Sequence, residues 1–199
     1  MLTFETALQA ERRGLISEMD CAAVVRPVAK DSWQLKSPNL LGDAMRRAFR
    51  LARGPRPGAT HLAIPEDLLH CDSGTDTQAD PVAASACAPS PDALDALAHM
   101  LRFAQKPVLL AGGGVNRARA QDALKACAEV WNLPVVTSLT GQGALDDRHP
   151  LNFGVVGDNG YHPHAIEAVN ASDLLICIGT ALGSTLTIGQ RFPEPSTTR

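Results

Sequence analysis

The sequence predicts an α/β protein, with an open, mostly parallel, Rossmann-like sheet and helices on both faces. Continuous apolar segments of strand length lie at Val108–Ala111, in LPVVTSL (133–139) and in DLLICIG (173–179), and segments of helical periodicity separate them. Strands that are apolar on both sides are typical of a parallel sheet covered by helices. Glycines follow these strands, as they do where a parallel strand turns into its crossover helix.

The first of the separating segments has a clear helix start. Ser90 is suited to an N-cap and Pro91 to the first helical position, where the missing N–H costs nothing. The helix then repeats Leu94, Leu97 and Leu101 on the face that we expect to be buried.

Two further helices are expected in this part of the chain. One runs from about Asn116 to Trp131, with Leu124, Cys127 and Trp131 facing inward, and a short one follows Pro163. The sheet so predicted has about three strands, fewer than the roughly five or six of a usual open α/β domain.

The residues before this domain predict less structure. Residues 41–53 carry a helical apolar stripe that Gly54 ends, and GATHLAIPED holds a short strand closed by Pro65. One helix and one strand do not make a domain, so residues 1–70 are expected to be the C-terminal part of one. Residues 71–90, small and polar with prolines and no period, are predicted to be a linker. Residues 91–199 would then be a second domain, truncated at its C-terminal end.

Composition excludes several classes of partner. The 199-residue chain has 18 Lys plus Arg against 21 Asp plus Glu and only 4% aromatic residues. Neither a nucleic acid nor an anionic membrane is an expected partner of such a chain. The five scattered cysteines form no C-x-x-C pair, so reduced thiols are expected. With no signal peptide and no apolar run of about 20 residues, the sequence predicts a soluble, cytoplasmic protein.

The glycine-rich strand ends are the candidate ligand site. Small residues follow three strands, at Gly112–Gly114, Thr137–Gly141 and Gly179–Ala181. Such loops let a phosphate approach main-chain N–H groups, but they also serve simply to turn a strand into a helix. The dinucleotide motif G-x-G-x-x-G is half met, because Arg117 stands where the third glycine belongs. From this loop alone, the two interpretations carry equal weight.

Other polar groups give weaker signals. His162 and His164 flank Pro163, and a solvated helix start is favoured over a metal site for them. Asp146 and Asp147 are adjacent and point in different directions, which suits a general acid and base poorly. A basic run is expected to be a solvated face: Arg46, Arg47, Arg50, Arg53 and Arg56.

The order of these segments resembles a known family. VVRPVAKDSWQL (24–35) and RRAFRLARGPRPGATHLAIPEDLL (46–69) resemble the end of the pyrimidine-binding domain of thiamine-diphosphate-dependent enzymes, such as acetolactate synthase, pyruvate oxidase, benzoylformate decarboxylase and oxalyl-CoA decarboxylase. LRFAQKPVLLAGGGVNRARAQDALKACAEVWNLPVVTSLTGQGALDDRHPLNFGVVGDNG (101–160) and ASDLLICIG (171–179) resemble the central domain of the same family. The resemblance covers about residues 18–185.

The resemblance implies a coenzyme site that this chain does not encode. In the family, a glutamate early in the pyrimidine domain activates thiamine diphosphate, and a Gly-Asp-Gly motif followed by Asn-Asn holds its diphosphate through Mg²⁺. The chain has Gly157–Asp158–Asn159–Gly160 but neither of those motifs. No residue is therefore assigned a catalytic or metal-binding role, and the isolated chain is expected to be inactive.

The resemblance also implies that the central domain binds FAD, ADP or nothing. The positions that match the family's nucleotide contacts are Gly112, Gly113, Gly114, Thr137, Ser138, Leu139, Gly157, Gly179, Thr180 and Ala181. FAD-binding members continue with a run like Arg-Phe-Asp-Asp-Arg, whereas this chain reads GTALGSTLTIG (179–189), without the charged groups that would hold a ribose or phosphate. Arg117 and Arg119 are phosphate contacts or a solvated helix start.

Two functions follow as hypotheses. In the first, the chain is a fragment of a thiamine-diphosphate-dependent lyase or transferase, a decarboxylase or acetolactate synthase-like enzyme acting on 2-oxo acids. Its role would be structural, with nucleotide-binding support, and its partners would be the flanking domains of the same enzyme in a homo-oligomer. In the second, it is a stand-alone module that binds ADP or FAD and has no catalytic activity.

Overall fold

A computed structural model describes residues 1–16, 18–54, 56–72, 74, 88–158, 160 and 162–193. The chain divides into two compact units, Met1–Ala88 and Pro89–Arg199, called here the first and the second unit. Most of the predicted linker and residues 194–199 lie outside the described residues. None of the described helices is long and apolar enough to cross a membrane.

The first unit is built on a parallel sheet of three strands in the order β1-β3-β2. The strands are β1 (Leu2–Glu5), β2 (Asp31–Gln34) and β3 (Thr60–Pro65), and the helices are α1 (Cys21–Val25) and α2 (Leu41–Arg53). Single 3₁₀ turns lie at Leu8–Ala10, Arg26–Val28, Pro38–Leu40 and Glu66–His70.

One face of this sheet carries an apolar cluster, and the edge formed by β1 is exposed. On one face, the buried side chains of Leu35, Leu62 and Ile64 form an apolar cluster against which Met45 of α2 packs. At its edge, β1 pairs with β3 alone among the described strands, and Phe4 on it is 65% exposed.

The prediction of one helix and one strand for residues 1–70 was wrong. The predicted helix and strand are present as α2 and β3, but β1 and β2 were missed. Their sequences, LTFE and DSWQ, have no apolar run, because β1 lies at an edge and β2 is only partly buried. Their extended conformation comes from pairing with the fully buried β3, which is a tertiary effect that local composition does not reveal.

The second unit has a parallel sheet of four strands in the order β6-β5-β4-β7, which confirms the predicted fold class and corrects the predicted number of strands. Its elements are α3 (Pro91–Phe103), β4 (Pro107–Ala111), α4 (Gly113–Ala118), α5 (Gln121–Trp131), β5 (Val135–Thr137), β6 (Asn152–Val155), α6 (Pro163–Asn170) and β7 (Leu174–Ile178). A 3₁₀ turn lies at Leu139–Gly141.

Alternate residues of β4 serve two apolar clusters. Leu109 and Ala111 pack on one face with residues of α4 and α5, and Val108 and Leu110 pack on the other face with residues of α6. Helices therefore cover both faces, as the continuously apolar sequence of β4 predicts.

The predicted helix from Asn116 to Trp131 is in fact two helices. Arg119, at a φ of 53°, ends α4, and α5 begins at Gln121. Val115 and Leu124 are both buried against the sheet. They would point in opposite directions on one continuous helix, since their spacing is about two and a half turns. The break lets both side chains reach the core.

Two predicted inward residues of α5 face outward. Cys127 is exposed, and Ala128 continues the buried face from Leu124. Trp131 is 44% exposed at the end of the helix, and Leu133, beyond the turn, occupies the buried position instead. The expected cap of α3 is confirmed, because Ser90 Oγ accepts a hydrogen bond from the N–H of Ala93.

Candidate functional site

All of the predicted site residues lie at the carboxyl ends of the four strands of the second unit. Gly157 follows β6, Thr137–Leu139 follow or end β5, Gly112–Gly114 follow β4, and Gly179–Ala181 follow β7. In an open α/β sheet, this edge is where ligands bind.

The order in which the chain adds strands to the sheet reverses between β4 and β7, although all of the strands are parallel. The chain runs outward from β4 to β5 and β6, and then returns through α6 to place β7 on the other side of β4. The carboxyl ends of β4 and β7 thus flank a topological switch point, the usual crevice for a nucleotide. Gly112–Gly114 and Gly179 are the residues at this point.

Main-chain hydrogen bonds join the two loops directly across the switch point. The N–H of Gly112 donates to the carbonyl oxygen of Ile178 at 2.8 Å, and the N–H of Gly114 donates to that of Gly179 at 2.8 Å. The backbones are so close that a Cβ atom on Gly114 would lie 2.6 Å from Cα of Gly179. These glycines therefore permit loop-to-loop packing, which requires residues without a side chain.

The same contacts bear on phosphate binding. The N–H groups of Gly112 and Gly114 already have carbonyl partners. In addition, α4 has only six residues, so the dipole at its start is weak. A role of these residues in holding a nucleotide stays a prediction.

The β5 loop is fixed to its neighbours by polar contacts. The N–H of Ser138 donates to the carbonyl oxygen of Ala111 at 3.0 Å, and Ser138 Oγ lies 3.2 Å from Thr140 Oγ1. Asn116 Nδ2 of α4 donates to the carbonyl oxygen of Gln142 at 2.8 Å. The loop after β6 is held in a similar way, since the N–H of Asp158 donates to the carbonyl oxygen of Thr185 at 2.9 Å.

Arg117 and Arg119 do not lie at a helix start, contrary to the expectation. Arg117 is in the last turn of α4 and Arg119 is its C-cap, and both side chains are exposed. They lie at the opposite end of α4 from the glycines that open it.

The paired histidines are placed at a helix start, as expected. His162 is the N-cap residue of α6, and its Nδ1 accepts a hydrogen bond from the N–H of Val155 at 3.1 Å. Both His162 and His164 are exposed. Within the part of the chain that the structure describes, no three His, Cys, Asp or Glu side chains come together in a way that could hold a metal ion.

The adjacent aspartates have separate structural partners. Asp146 forms an ion pair with Arg148 at 3.2 Å, and its hydrogen bond from this guanidinium holds the pKa of the Asp146 carboxyl below its ordinary value. Asp147 accepts a hydrogen bond from Asn152 Nδ2 at 3.4 Å.

Sequence reasoning missed a buried polar network in the first unit. His61 is 1% exposed, with Nδ1 lying 2.8 Å from Ser32 Oγ and Nε2 lying 2.8 Å from Thr3 Oγ1. Ser32 Oγ also lies 2.7 Å from the carbonyl oxygen of Ala22, to which it donates. His61 is a lone histidine in an apolar strand, and the partners of its Nδ1 and Nε2 lie 29 and 58 residues away, so no local motif marks them.

This network resembles a nucleophile and its base only superficially. The proton of the Ser32 hydroxyl is directed to the carbonyl oxygen of Ala22, so His61 Nδ1 donates to Ser32 and does not accept from it. Burial of the imidazole lowers the pKa of His61, and the charged amino terminus lowers it further, whereas the Glu5 carboxylate acts in the opposite direction. A neutral imidazole with both nitrogens satisfied is a structural element of the first unit.

Comparison with known proteins matches this fold to one family. Residues 94–198 match the family model described as the central domain of thiamine pyrophosphate enzymes. This range contains the four-stranded sheet and the glycines at its switch point.

Individual relatives agree with the match. The chain is 32% identical over 186 residues to a probable acetolactate synthase large subunit of Methanocaldococcus jannaschii, covering 89% of this chain and 31% of the relative. It is 33% identical over 183 residues to the acetolactate synthase large subunit IlvB1 of Mycobacterium tuberculosis, covering 88% and 29%. A glyoxylate carboligase of Escherichia coli O157:H7 is 32% identical over 176 residues, covering 86% and 30%.

The chain thus spans less than a third of the length of these curated relatives. The family match covers more than half of the chain, and the parallel sheet with helices on both faces agrees with it. The chain belongs to the thiamine pyrophosphate enzyme family, through the central domain of that family.

Proposed function

We propose that this chain is the middle portion of an acetolactate synthase-like enzyme that acts on 2-oxo acids with thiamine diphosphate. These residues would give structural support, and the flanking domains of the same enzyme would carry the catalytic groups in a homo-oligomer. The observation that carries the proposal is the similarity over most of the chain to enzymes named acetolactate synthase. Thiamine diphosphate would supply the nucleophile and electron sink for forming or breaking a C–C bond beside the 2-oxo group.

The described residues do not fit a site for this coenzyme. A diphosphate held through Mg²⁺ needs several oxygen ligands at one place. No such group of acidic side chains occurs among the residues described, and the main-chain N–H of the exposed Asp158 donates to the carbonyl oxygen of Thr185. We therefore assign no catalytic step to a residue of this chain.

The surrounding gene tests the parent enzyme. We expect the same reading frame to encode a glutamate-bearing pyrimidine domain before these residues, and a Gly-Asp-Gly motif followed by Asn-Asn after them. The enzyme expressed from the whole frame should consume pyruvate or another 2-oxo acid only when thiamine diphosphate and Mg²⁺ are added. A whole-frame product that lacks both motifs would contradict the proposal.

A stand-alone nucleotide-binding module is the second candidate, and the position of Gly112–Gly114 and Gly179 at the switch point favours it. Thermal unfolding of the chain with FAD, ADP, NAD or thiamine diphosphate separates the two candidates, because a ligand that binds only the native state raises the midpoint. A rise with ADP or FAD supports the module. No rise with any of the four supports the structural role, and a rise with thiamine diphosphate contradicts the absence of its site.

A further inference from the structure

The apolar face of the first unit continues beyond the residues that α2 covers. Leu2 and Phe4 of β1 pair in register with Leu62 and Ile64 of β3, so the four side chains lie on the same face of the sheet. Leu62 and Ile64 are buried in the apolar cluster, whereas Leu2 is 49% exposed and Phe4 is 65% exposed. The proposed function gives no role to this part of the face.

The position of α2 explains why β1 is left uncovered. Met45 packs on the apolar cluster, and Arg47 forms an ion pair with Asp31 at 2.6 Å. The guanidinium carbon of Arg47 also lies 4.7 Å from the ring centroid of Trp33, so α2 lies over β2 and β3. A helix is about 10 Å wide and neighbouring strands are about 4.8 Å apart, so one helix covers about two strands. The face over β1 therefore has room for a second helix beside α2.

Phe49 lies on the flank of α2 that faces β1. It follows Arg47 by two residues, which is a turn of about 200° around the helix axis. Since Arg47 contacts β2, Phe49 lies on the opposite flank, and it is 55% exposed. Leu2, Phe4 and Phe49, called here the apolar strip, thus border the same uncovered face. A single exposed apolar side chain is ordinary, but a group of large ones beside a buried cluster marks an interaction surface.

Basic side chains lie beside the apolar strip on the same flank of α2. Positions spaced by four, three and four residues form one row along a helix. The row in question is Gly42, Arg46, Phe49 and Arg53. Arg46 forms an ion pair with Asp43 at 2.6 Å, and Arg53 forms none within the part of the chain that the structure describes. A helix packed on this flank would contact Phe49 near the sheet and guanidinium groups nearer to solvent.

We propose that the apolar strip binds an amphipathic helix with acidic side chains along one edge, contributed by a part of the parent enzyme outside this chain. The apolar side chains of that helix would pack on Leu2 and Phe4 and against Phe49, and its carboxylates would pair with Arg46 and Arg53. The inference rests on the proposed function, in which this chain is one portion of a longer enzyme. Its span of less than a third of its relatives leaves ample sequence for such a helix.

The same surface is a poor fit for other occupants. A second copy placed by a two-fold axis would bring the arginines of both copies together, which is unfavourable. Helices are the usual cover of a parallel sheet, and the space beside α2 has the width of one helix. A Cβ at Gly42 would have the flexible Arg46 side chain as its nearest neighbour, at 3.6 Å, so this flank is open to a close approach by a neighbouring backbone.

Hydroxyl-radical footprinting tests whether the apolar strip is covered. The oxidation rates of Phe4 and Phe49 are measured by mass spectrometry in the 199-residue chain and in the enzyme expressed from the whole reading frame. Cover that leaves about a tenth of Phe4 exposed, instead of 65%, should slow its oxidation about sixfold in the whole enzyme. Phe192, which is 7% exposed, is the internal control and should react slowly in both proteins. Unchanged rates for Phe4 and Phe49 would overturn the proposal.

Consumption of a 2-oxo acid by the same whole-frame enzyme is measured separately. Activity without protection of the two phenylalanines would overturn the present proposal and leave the proposed function standing. Protection without activity would support a covered strip and contradict the proposed function. Protection that is already present in the 199-residue chain and increases with its concentration would assign the strip to a second copy, which also overturns the proposal.

Charge reversal tests the acidic character of the bound helix. Arg53→Glu would place a carboxylate against those of the helix, so the oxidation rate of Phe49 in the whole enzyme should rise toward its value in the 199-residue chain. Arg50→Glu is the matched control, because Arg50 is turned about 100° further from the sheet than Phe49 and should leave that rate unchanged. In the 199-residue chain, neither variant should alter the rate. Equal rates for both variants in the whole enzyme would overturn the assignment of an acidic helix.

Discussion

The main-chain N–H of Gly114 donates a 2.8 Å hydrogen bond to the carbonyl oxygen of Gly179, joining the loops after β4 and β7. The two strands are neighbours in the sheet, although they are separated in sequence by two strands and three helices. This bond holds together the two loops at the topological switch point, where the strand order reverses.

Substitution of Gly114 by Ala should destabilise the second unit. The added Cβ would lie 2.6 Å from Cα of Gly179, and its three nearest atoms are all main-chain atoms of Gly179, so no flexible side chain can move aside. Overpacking of this kind costs about 1–3 kcal/mol. The free energy of unfolding in urea checks this value. Gly183→Ala is the matched control, because a Cβ at Gly183 meets nothing within 4 Å, and equal stability of both variants would contradict the packing role.

The stability of the first unit should decrease as the pH falls below about 6.5, the ordinary pKa of an imidazole. Since burial lowers the pKa of His61 in the folded state, the unfolded state binds more protons in the window between the folded and unfolded pKa values. The contribution of neutral His61 to stability is therefore fully present above its pKa in the unfolded state, and it is lost as the pH falls below that value. Fluorescence of Trp33 in a Trp131→Phe background reports on this unit.

His61→Gln removes the titrating group, and its stability should vary less with pH across that window. His70→Gln changes an exposed histidine and should keep the pH dependence of the parent chain. A pH dependence that persists in full after His61→Gln would show that another group causes it.

Asp173 should stabilise the start of β7 at neutral pH. Its carboxylate accepts the N–H groups of Gln105 at 2.7 Å and Lys106 at 2.9 Å, and these bonds hold the pKa of Asp173 below its ordinary value. The stabilisation is present above the ordinary aspartate pKa and is lost as the pH falls through the lowered one. Asp173→Asn should lower the thermal midpoint at pH 7 more than Asp95→Asn, which changes an exposed residue of α3. Identical midpoints would count against this role.

Leu109→Ala should be the more damaging of two truncations to Ala in the second unit. Leu109 is 0% exposed in the centre of the sheet, and its truncation should cost about 2–5 kcal/mol of unfolding free energy. Val130 on α5 is 79% exposed, so Val130→Ala should change the unfolding free energy by less than about 0.5 kcal/mol. Denaturation in urea, followed by circular dichroism, compares the two variants.

The sequence predicts those elements whose signals lie in residues adjacent to one another in the chain. β4 is apolar at successive positions because both of its faces are covered, and Ser90 and Pro91 mark the start of α3 by their own local chemistry. By contrast, β6 was not predicted. Its sequence NFGV is short and contains Gly154, which adopts a φ of 99° and interrupts the apolar pattern of a strand.

The sequence predicted where the candidate site lies in the fold, but not the contacts that its residues make. Strand ends and glycines locate the carboxyl edge, and the structure places every predicted residue there. The bond from Gly114 to Gly179 was not predictable, because it depends on β7 returning beside β4. His61 was missed for a related reason: its environment is created by residues far away in sequence.

The position of β1 also has a consequence for how the chain behaves in concentrated solution. Its outer side, unpaired within the described residues, presents main-chain donors and acceptors beside the exposed Phe4. An open sheet edge of this kind is a template for another extended segment, and charged residues or proline usually protect it from association. LTFE has a charge only at its last position, where Glu5 is buried. β1 is therefore an edge at which this chain is open to aggregation by strand addition.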